Sequence, residues 1–243
     1  MAVRGPLRQN RERITIGPNE APKPAQGDEI IDHSDHFVLP GLIDLHVHLT
    51  GDPGGDYRQG TVDTDEYDTL VGAKNARITA LAGFTTVREA GSGESTAFAL
   101  RRAISEGLIP GPRIIAAGPP LSIVGGHGDV TGFRPEILDL FANPFACTGA
   151  VECAEKVRRA AQRGSDVIKI TATGGVLSQQ GRGLGAHFTD AEMKSIVDTA
   201  HSLGLKVMAH AHGARGIEAA SRAGIDMIEH STFIDEAAAR AMK

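Results

Sequence analysis

The stretch VLPGLIDLHVHL (residues 38–49) joins a short apolar run to two histidines, His46 and His48. The apolar run predicts a buried β-strand, and the histidines close it. Side chains two positions apart on a strand share a face, so these two imidazoles can bind one ion together. A His-x-His pair alone is weak evidence, since many buried histidines are satisfied by backbone carbonyls. The rest of the chain therefore decides its meaning.

The same layout recurs three times further along the chain. Lys169 lies in DVIKITATGG (residues 166–175), His210 in KVMAHAHG (206–213) and His230 in DMIEHST (226–232), each within or closing an apolar run. With the first histidine pair, these residues make five potential metal ligands. If the strands are parallel, their carboxyl ends meet at one edge of the sheet, and the five side chains converge there.

One unit repeats five times after residue 37: a helical stretch, a glycine, a short apolar strand and a polar or glycine-rich turn. The glycines stand where a helix needs a left-handed residue at its end. They are Gly83, Gly107, Gly164, Gly204 and Gly224. With residues 38–49, the pattern predicts six parallel strands joined by helices.

Such a chain is either a doubly wound open sheet or a (β/α)8 barrel. Barrels build their sites from the carboxyl ends of many strands, as the ligand pattern requires. We therefore predict an α/β fold: a TIM-type (β/α)8 barrel of the metal-dependent hydrolase kind, incomplete, with about six βα units over residues 37–243. Residues 1–36, polar and proline-containing, predict a partial N-terminal β-sandwich remnant or arm.

The composition of the chain limits the kinds of binding partner to be expected. Hydrophobic residues make up 41% and charged residues 23% of the 243 residues, and the formal net charge is -5, so no basic face for nucleic acid is expected. The N-terminal stretch has no apolar segment that could anchor it in a membrane. A small-molecule or dipeptide substrate and a cytoplasmic location are expected. Cys147 and Cys153 match no zinc-binding spacing and are predicted to be two buried or idle thiols.

The combined motifs resemble the amidohydrolase superfamily of metal-dependent hydrolases. The resemblance rests on the order of the ligand motifs and on the stretches VLPGLIDLHVHL, GFTTVREAG, IKITATGGVLS and MAHAHGARGIEAASRAGIDMIEHSTFID. Their wording is most similar to the prolidase-like branch, which includes Xaa-Pro dipeptidases and is related to imidazolonepropionases.

The resemblance implies a metal centre with two divalent ions, for which Zn2+ is the first expectation. His46 and His48 match the pair that binds the more buried ion, while His210 and His230 match the ligands of the second. Lys169 matches a lysine that reacts with carbon dioxide. The resulting carbamate is an anionic oxygen donor suited to bridging two dications, whereas a bare ammonium would repel them.

Two further histidines are expected to act in catalysis together with Lys169. His212 forms a second i, i+2 pair with His210, and the family pattern places it against the substrate or behind the ligands. His127, in the glycine-rich GGHGD (residues 125–129), follows the third strand. It is expected to hold a carboxylate or carbonyl of the substrate, with an exposed loop histidine as the alternative. Arg88 and Glu89 either reach the site or pair with each other.

The resemblance implies hydrolysis of an amide bond in a dipeptide or N-acyl amino acid, Xaa-Pro-like, by a metal-bridging hydroxide. One alternative is hydrolysis of a cyclic amide, as in imidazolonepropionase. Another is a catalytically dead metal-binding fragment, because the chain has no counterpart to the family's eighth-strand aspartate, which transfers the proton. An open six-strand barrel exposes strand edges, so we expect a homo-oligomer.

Overall fold

The computed structural model describes residues 36–37, 39–52, 60, 62–175, 178 and 183–243. Residues Leu42–Lys243 form one compact unit. The arm or β-sandwich remnant predicted for residues 1–36 falls, except for His36, outside the described residues and stays a prediction. Within the described parts of the chain, none of the helices is long and apolar enough to cross a lipid bilayer.

Strands and helices alternate along this unit. The strands are β1 (Leu42–Val47), β2 (Phe84–Glu89), β3 (Arg113–Ala116), β4 (Ser122–Ile123), β5 (Ala146–Cys147), β6 (Val167–Thr171), β7 (Lys206–Gly213) and β8 (Met227–Phe233). The helices are α1 (Asp65–Leu81), α2 (Thr96–Ser105), α3 (Pro135–Phe141), α4 (Ala150–Arg163), α5 (Asp190–Ser202), α6 (Ala214–Ala223) and α7 (Glu236–Ala241).

Every strand pairing is parallel. Strands β1, β2 and β3 form one sheet, β6, β7 and β8 form another, and the short β4 and β5 pair with each other. A backbone hydrogen bond joins the two larger sheets: Asp166 N, just before β6, donates to Ala116 O of β3 at 2.8 Å. Leu121, just before β4, also bonds to β6, its N donating to Lys169 O at 2.8 Å. The predicted α/β class, with six βα units built on six longer strands, is confirmed.

The six strands form an incomplete barrel, as predicted. In the region that the structure describes, β1 pairs with β2 alone and β8 with β7 alone, so the wall has two free edges. The strand registers bring the carboxyl ends together. Thr171 of β6 is opposite His210 of β7, and Ala211 of β7 is opposite His230 of β8.

Glycines end the helices as the sequence predicts. All five predicted glycines have positive φ angles, which side-chain-bearing residues rarely adopt. Gly164 shows the reason: at φ 100°, its N–H caps the end of α4 by donating to Ala160 and Ala161 carbonyls. The chain then reverses within two residues and enters β6.

Strand β6 is the most deeply buried part of the wall. All five of its residues are buried, because α4 and α5 cover its outer face and the barrel interior covers the other. Ile168 and Ile170 pack into the main apolar core with Ile196 of α5. This two-sided burial explains why the apolar run does not alternate with polar residues. It also places Lys169 at the centre of a buried strand.

The prediction of two buried or idle thiols is correct in that both cysteines are buried, but it is wrong that they are thiols, because Cys147 and Cys153 form a disulfide. Cys147 ends β5 and Cys153 lies in the first turns of α4, and both are fully buried. The helix turns the chain back on itself, so the two Cα atoms lie 5.2 Å apart, within the range that a disulfide spans. The bond ties the short β4–β5 ladder to the outer layer of helices.

Candidate metal centre

His46 and His48 of the first histidine pair lie side by side at the carboxyl end of β1. Their ring centroids are 5.3 Å apart, as expected for neighbours on one face of a strand. His46 also reaches across the barrel to β8, where its ring centroid lies 4.8 Å from that of His230. The first strand and the sixth long strand therefore meet inside the wall.

Three histidines from β7 and β8 form the other side of this cluster. The centroid of the His210 ring lies 4.7 Å from those of both His212 and His230, and the latter two are 4.8 Å apart. One ring nitrogen from each of the three lies within 4.8 Å of the others, a grouping that could hold a metal ion. His212 was not predicted to be a ligand, yet it lies beside two predicted ligands.

Lys169 lies in the same interior, with only 4% of its surface exposed. Burial lowers the pKa of its amine to about 8, because charging the amine would require desolvating an ammonium. The neighbouring carboxylates of Glu229 and Glu89 raise the pKa again, and the Arg88 guanidinium lowers it. A substantial fraction of the amine is therefore neutral near pH 7 to 8, the form that reacts with carbon dioxide.

Three histidines of the cluster are neutral at pH 7: His210 is buried, His127 half-buried and His230 exposed. Desolvation by the surrounding protein is the main cause that lowers the pKa of His210 to about 2 and the pKa values of His127 and His230 to about 4. Neutral imidazoles present a free nitrogen lone pair, which is the form that ligates metal ions. These uncharged imidazoles are donors that fit a divalent cation.

Backbone carbonyls fix which ring nitrogen carries the proton. His48 Nδ1 donates to the Gly91 carbonyl at 2.8 Å, and His210 Nε2 donates to the Gly174 carbonyl at 3.2 Å. A carbonyl oxygen only accepts, so each ring keeps its other nitrogen free: Nε2 in His48 and Nδ1 in His210. Hydrogen bonds of this kind orient histidine ligands in metal sites.

His127 lies against the cluster rather than on an exposed loop. Its ring stacks on that of His210 with 4.2 Å between centroids, and its Nδ1 lies 2.9 Å from Ser178 Oγ. The hydroxyl of Ser178 also accepts from Gly175 N at 3.0 Å. The loop after β4 and the loop after β6 therefore meet above His210, at the mouth of the barrel where a substrate would enter.

Arg88 and Glu89 both reach the site and do not pair with each other. Glu89, fully buried, accepts from Leu49 N at 2.6 Å, and its other oxygen lies 3.5 Å from His48 Nδ1. This carboxylate raises the pKa of His48. Arg88 pairs instead with Glu229 of β8, its Nη2 lying 2.6 Å from Oε1. Glu229 was not among the site residues predicted from the sequence.

Glu229 and His230 are consecutive residues, yet both contact the cluster. On a regular strand they would face opposite sides of the sheet. His230 has a φ of 73° and Ser231 a φ of 49°, and these left-handed residues break the alternation at the end of β8. Such backbone conformations of residues other than glycine are strained by about 1–3 kcal/mol and concentrate at functional sites.

The chain matches known proteins over most of its length. A sequence model of the amidohydrolase family matches residues 37–243. Ochratoxinase of Aspergillus niger is 34% identical over 230 residues, covering 87% of this chain and 46% of the ochratoxinase. The crystal structure of a Xaa-Pro dipeptidase with bound methionine in the active site has a TM-score of 0.75 at 36% identity, covering 84% of this chain and 50% of that one.

A second solved structure agrees. The crystal structure of a prolidase complexed with N-methylphosphonate-L-proline has a TM-score of 0.78 at 33% identity, covering 95% of this chain and 56% of the prolidase. The chain therefore spans about half the length of the relatives that it matches. The matches therefore cover most of the part of the chain that holds the histidine cluster and about half of each relative.

Proposed function

The chain belongs to the amidohydrolase family, and from this premise we propose that it carries the metal-binding part of an enzyme that hydrolyses amide bonds in dipeptides or N-acyl amino acids. One observation carries the proposal: four strands deliver histidines and a buried lysine to one point inside the barrel. In His48 and His210 a backbone carbonyl occupies one ring nitrogen and leaves the other available to an ion.

The proposed ligands divide into two groups. His46 and His48 would hold one divalent ion, and His210 and His230 would hold a second. Lys169, as a carbamate, would supply an anionic oxygen donor. The free Nε2 of His48 and the free Nδ1 of His210 support these assignments, since each lone pair is left unused by the backbone hydrogen bond on the other side of the ring.

The ions, when bound, lower the pKa of water and polarise a carbonyl oxygen. The protein's own contribution is to orient the ligands and to keep the interior dry. Burial of Lys169 and His210, at 4% and 6% exposure, excludes bulk water from the inner side of the cluster. Electrostatic interactions with a developing negative charge are stronger in such surroundings.

His127 and His212 are proposed to contact the substrate. His127 is neutral at pH 7 and lies at the barrel mouth, so a ring N–H could donate to a carbonyl or carboxylate oxygen of a bound amide. His212 Nδ1 lies 2.7 Å from Thr232 Oγ1, which fixes its ring beside His230. His212 also lies next to two proposed ligands, so direct metal binding is its alternative role. Metal titration of a His212 variant distinguishes the two roles.

The substrate class rests on the relatives. An ochratoxinase, a Xaa-Pro dipeptidase and a prolidase with a bound proline phosphonate all match this chain at more than 30% identity. We therefore propose a linear amide whose departing part is an amino acid. The net charge of -5 and the buried site fit a small soluble substrate better than a polymer.

Metal content per chain is the first test. The protein is prepared with Zn2+ and bicarbonate, and bound metal is counted by mass spectrometry. The proposal expects two ions per chain, with a matched sample prepared without bicarbonate holding fewer. A folded protein that holds none would overturn the metal site.

Hydrolysis is the second test. The metallated protein is offered Xaa-Pro dipeptides, N-acyl amino acids and cyclic amides, with the metal-free protein as control. Cleavage of a linear amide supports the proposal. Ring opening alone would reassign the substrate class, and zero turnover by folded, metallated protein would leave a metal-binding chain without catalysis.

A further inference from the structure

Glu229 holds the ring of His46 from behind. Glu229 Oε2 lies 2.8 Å from His46 Nδ1, a contact that spans 183 residues of sequence and crosses the barrel interior from β8 to β1. A carboxylate accepts hydrogen bonds, so the proton of the neutral imidazole is held on Nδ1. His46 Nε2 is then left with its lone pair, on the side of the ring away from Glu229.

Arg88 fixes the carboxylate that performs this task. Its Nη2 donates to Glu229 Oε1 at 2.6 Å, and its Nε donates to the Leu45 carbonyl at 2.7 Å. Leu45 directly precedes His46, so the guanidinium ties the glutamate to the same strand as the histidine that it orients. Both charged side chains are about nine-tenths buried, with 9% of each exposed. Charge-assisted hydrogen bonds in such surroundings are short and directional.

His48 and His210 of the cluster donate to backbone carbonyls, those of Gly91 and Gly174. His48 Nδ1 also lies 3.5 Å from Glu89 Oε1, a longer contact than the 2.8 Å between His46 and Glu229. A carboxylate differs from a carbonyl because it makes the ring a stronger electron donor as well as orienting it.

We infer that Glu229 is a positioning residue for metal binding: held by Arg88, it fixes the Nδ1–H tautomer of His46 and aims Nε2 at the proposed ion. The inference rests on the proposed metal site. In this role Glu229 orients the His46 ring through a direct hydrogen bond and does not itself contact the substrate.

The first readout is the tautomer of His46 in metal-free protein, measured by two-bond 1H–15N correlation spectra at pH 8 with His46→Asn used for assignment. The wild type is expected to show a protonated Nδ1 and a bare Nε2. In Glu229→Gln the preference is expected to be lost, giving a mixture of both tautomers. Because no metal is present, this readout remains valid even if the proposed function fails.

The second readout is the dissociation constant for Zn2+ alone, measured by competition with a chelating dye. Glu229→Gln is expected to weaken binding about 10- to 100-fold, the usual effect of removing the partner behind a histidine ligand. The matched control is Glu192→Gln, which removes a buried carboxylate of α5 that contacts Thr189 and Gly149. The control is expected to lower stability and to leave both readouts unchanged.

Two results would overturn the inference: wild-type tautomer and Zn2+ affinity in Glu229→Gln, or equal weakening of Zn2+ binding in Glu192→Gln, which would indicate a merely structural effect. If Glu229→Gln does not fold because Arg88 is left unpaired, Arg88→Met/Glu229→Gln replaces it. That double variant removes both charges of the Arg88–Glu229 ion pair and carries the same two expectations.

Discussion

The guanidinium of Arg88 and the carboxylate of Glu229 meet 2.6 Å apart inside the barrel. Arg88 belongs to the sheet of β1–β3 and Glu229 to the sheet of β6–β8. The two sheets are therefore joined through the interior by an ion pair, in addition to the backbone hydrogen bond from Asp166 N to Ala116 O. The pair stabilises the arrangement of strands on which the histidine cluster depends.

Arg88→Met should lower the free energy of unfolding by about 3–5 kcal/mol, because it leaves the buried carboxylate of Glu229 without its counter-charge. Arg88→Met/Glu229→Gln should recover a large part of that loss, since neither member of the ion pair is then left buried and unpaired. Urea unfolding of the two variants and of Glu229→Gln, combined as a double-mutant cycle, measures the coupling. Additive losses would mean that the two side chains do not stabilise each other.

Lys169→Ala should reduce bound metal by at least one ion per chain, because the shared oxygen donor is removed. Mass spectrometry of the metallated protein measures it. Lys206→Ala is the matched control: that lysine is exposed at the start of the neighbouring strand β7 and should leave metal content unchanged. Unchanged content in Lys169→Ala would remove the carbamate from the proposal.

Loss of the disulfide should lower the free energy of unfolding by about 2 kcal/mol, the entropy expected for a closed loop this short. Cys147 and Cys153 are separated by six residues. Thermal unfolding of Cys147→Ala/Cys153→Ala, compared with wild type in oxidising and reducing buffer, tests this. Reductant should lower the melting temperature of the wild type and have no effect on the double variant; an equal response of both would contradict the bond.

The capping carboxylate of Glu192 should make stability dependent on acid pH. Although burial alone would raise its pKa, the donors Thr189 N and Gly149 N hold the pKa below the ordinary value. Its contribution is therefore complete above the pKa of the unfolded chain, about 4.5, and is lost as the pH falls through the lower pKa of the folded protein.

Glu192→Gln should accordingly cost about 1–3 kcal/mol at pH 7. The difference from wild type should shrink below pH 4, as the wild-type carboxyl becomes protonated. Urea unfolding at both pH values measures this. A difference that stays constant with pH would show that the carboxylate charge is irrelevant to the cap.

The free edge at β1 should cause association. Leu42, Ile43 and Leu45 of this strand are each at least half exposed. Exposed apolar edges pair with other chains, and a lysine on the edge prevents such pairing. We expect oligomers in size-exclusion chromatography and a shift toward monomer in Ile43→Lys. Leu203→Lys, at an exposed apolar position after α5, is the control that should not shift. A sharp monomer peak for the wild type would contradict the expectation.

The sequence predicts the fold correctly where a single physical rule decides the local structure. A helix, a glycine and a short apolar run predict β6 correctly, because Gly164 must end α4 and residues 167–171 must be buried on both faces. The family resemblance is likewise confirmed. Because the parallel strands end at one edge of the wall, the convergence of His46, His210 and His230 was also predicted correctly.

The missed features depend on contacts that no local pattern contains. Strands β4 and β5 have two residues each, too few to show a period. The spacing of Cys147 and Cys153 does not reveal that a helix turns one toward the other. Strand alternation would place Glu229 on the opposite face from His230, and only the left-handed backbone of His230 allows both to contact the cluster.

The hydrogen bond between His46 and Glu229 joins residues 183 positions apart. At the rate of about 5–20 residues per second at which ribosomes extend a chain, roughly 10–40 s separate the synthesis of the two residues. During that interval His46 exists without the partner that orients it, and contacts of such long range form late in folding. Glu229 can therefore orient His46 only after β8 has been synthesised and has joined the wall of strands.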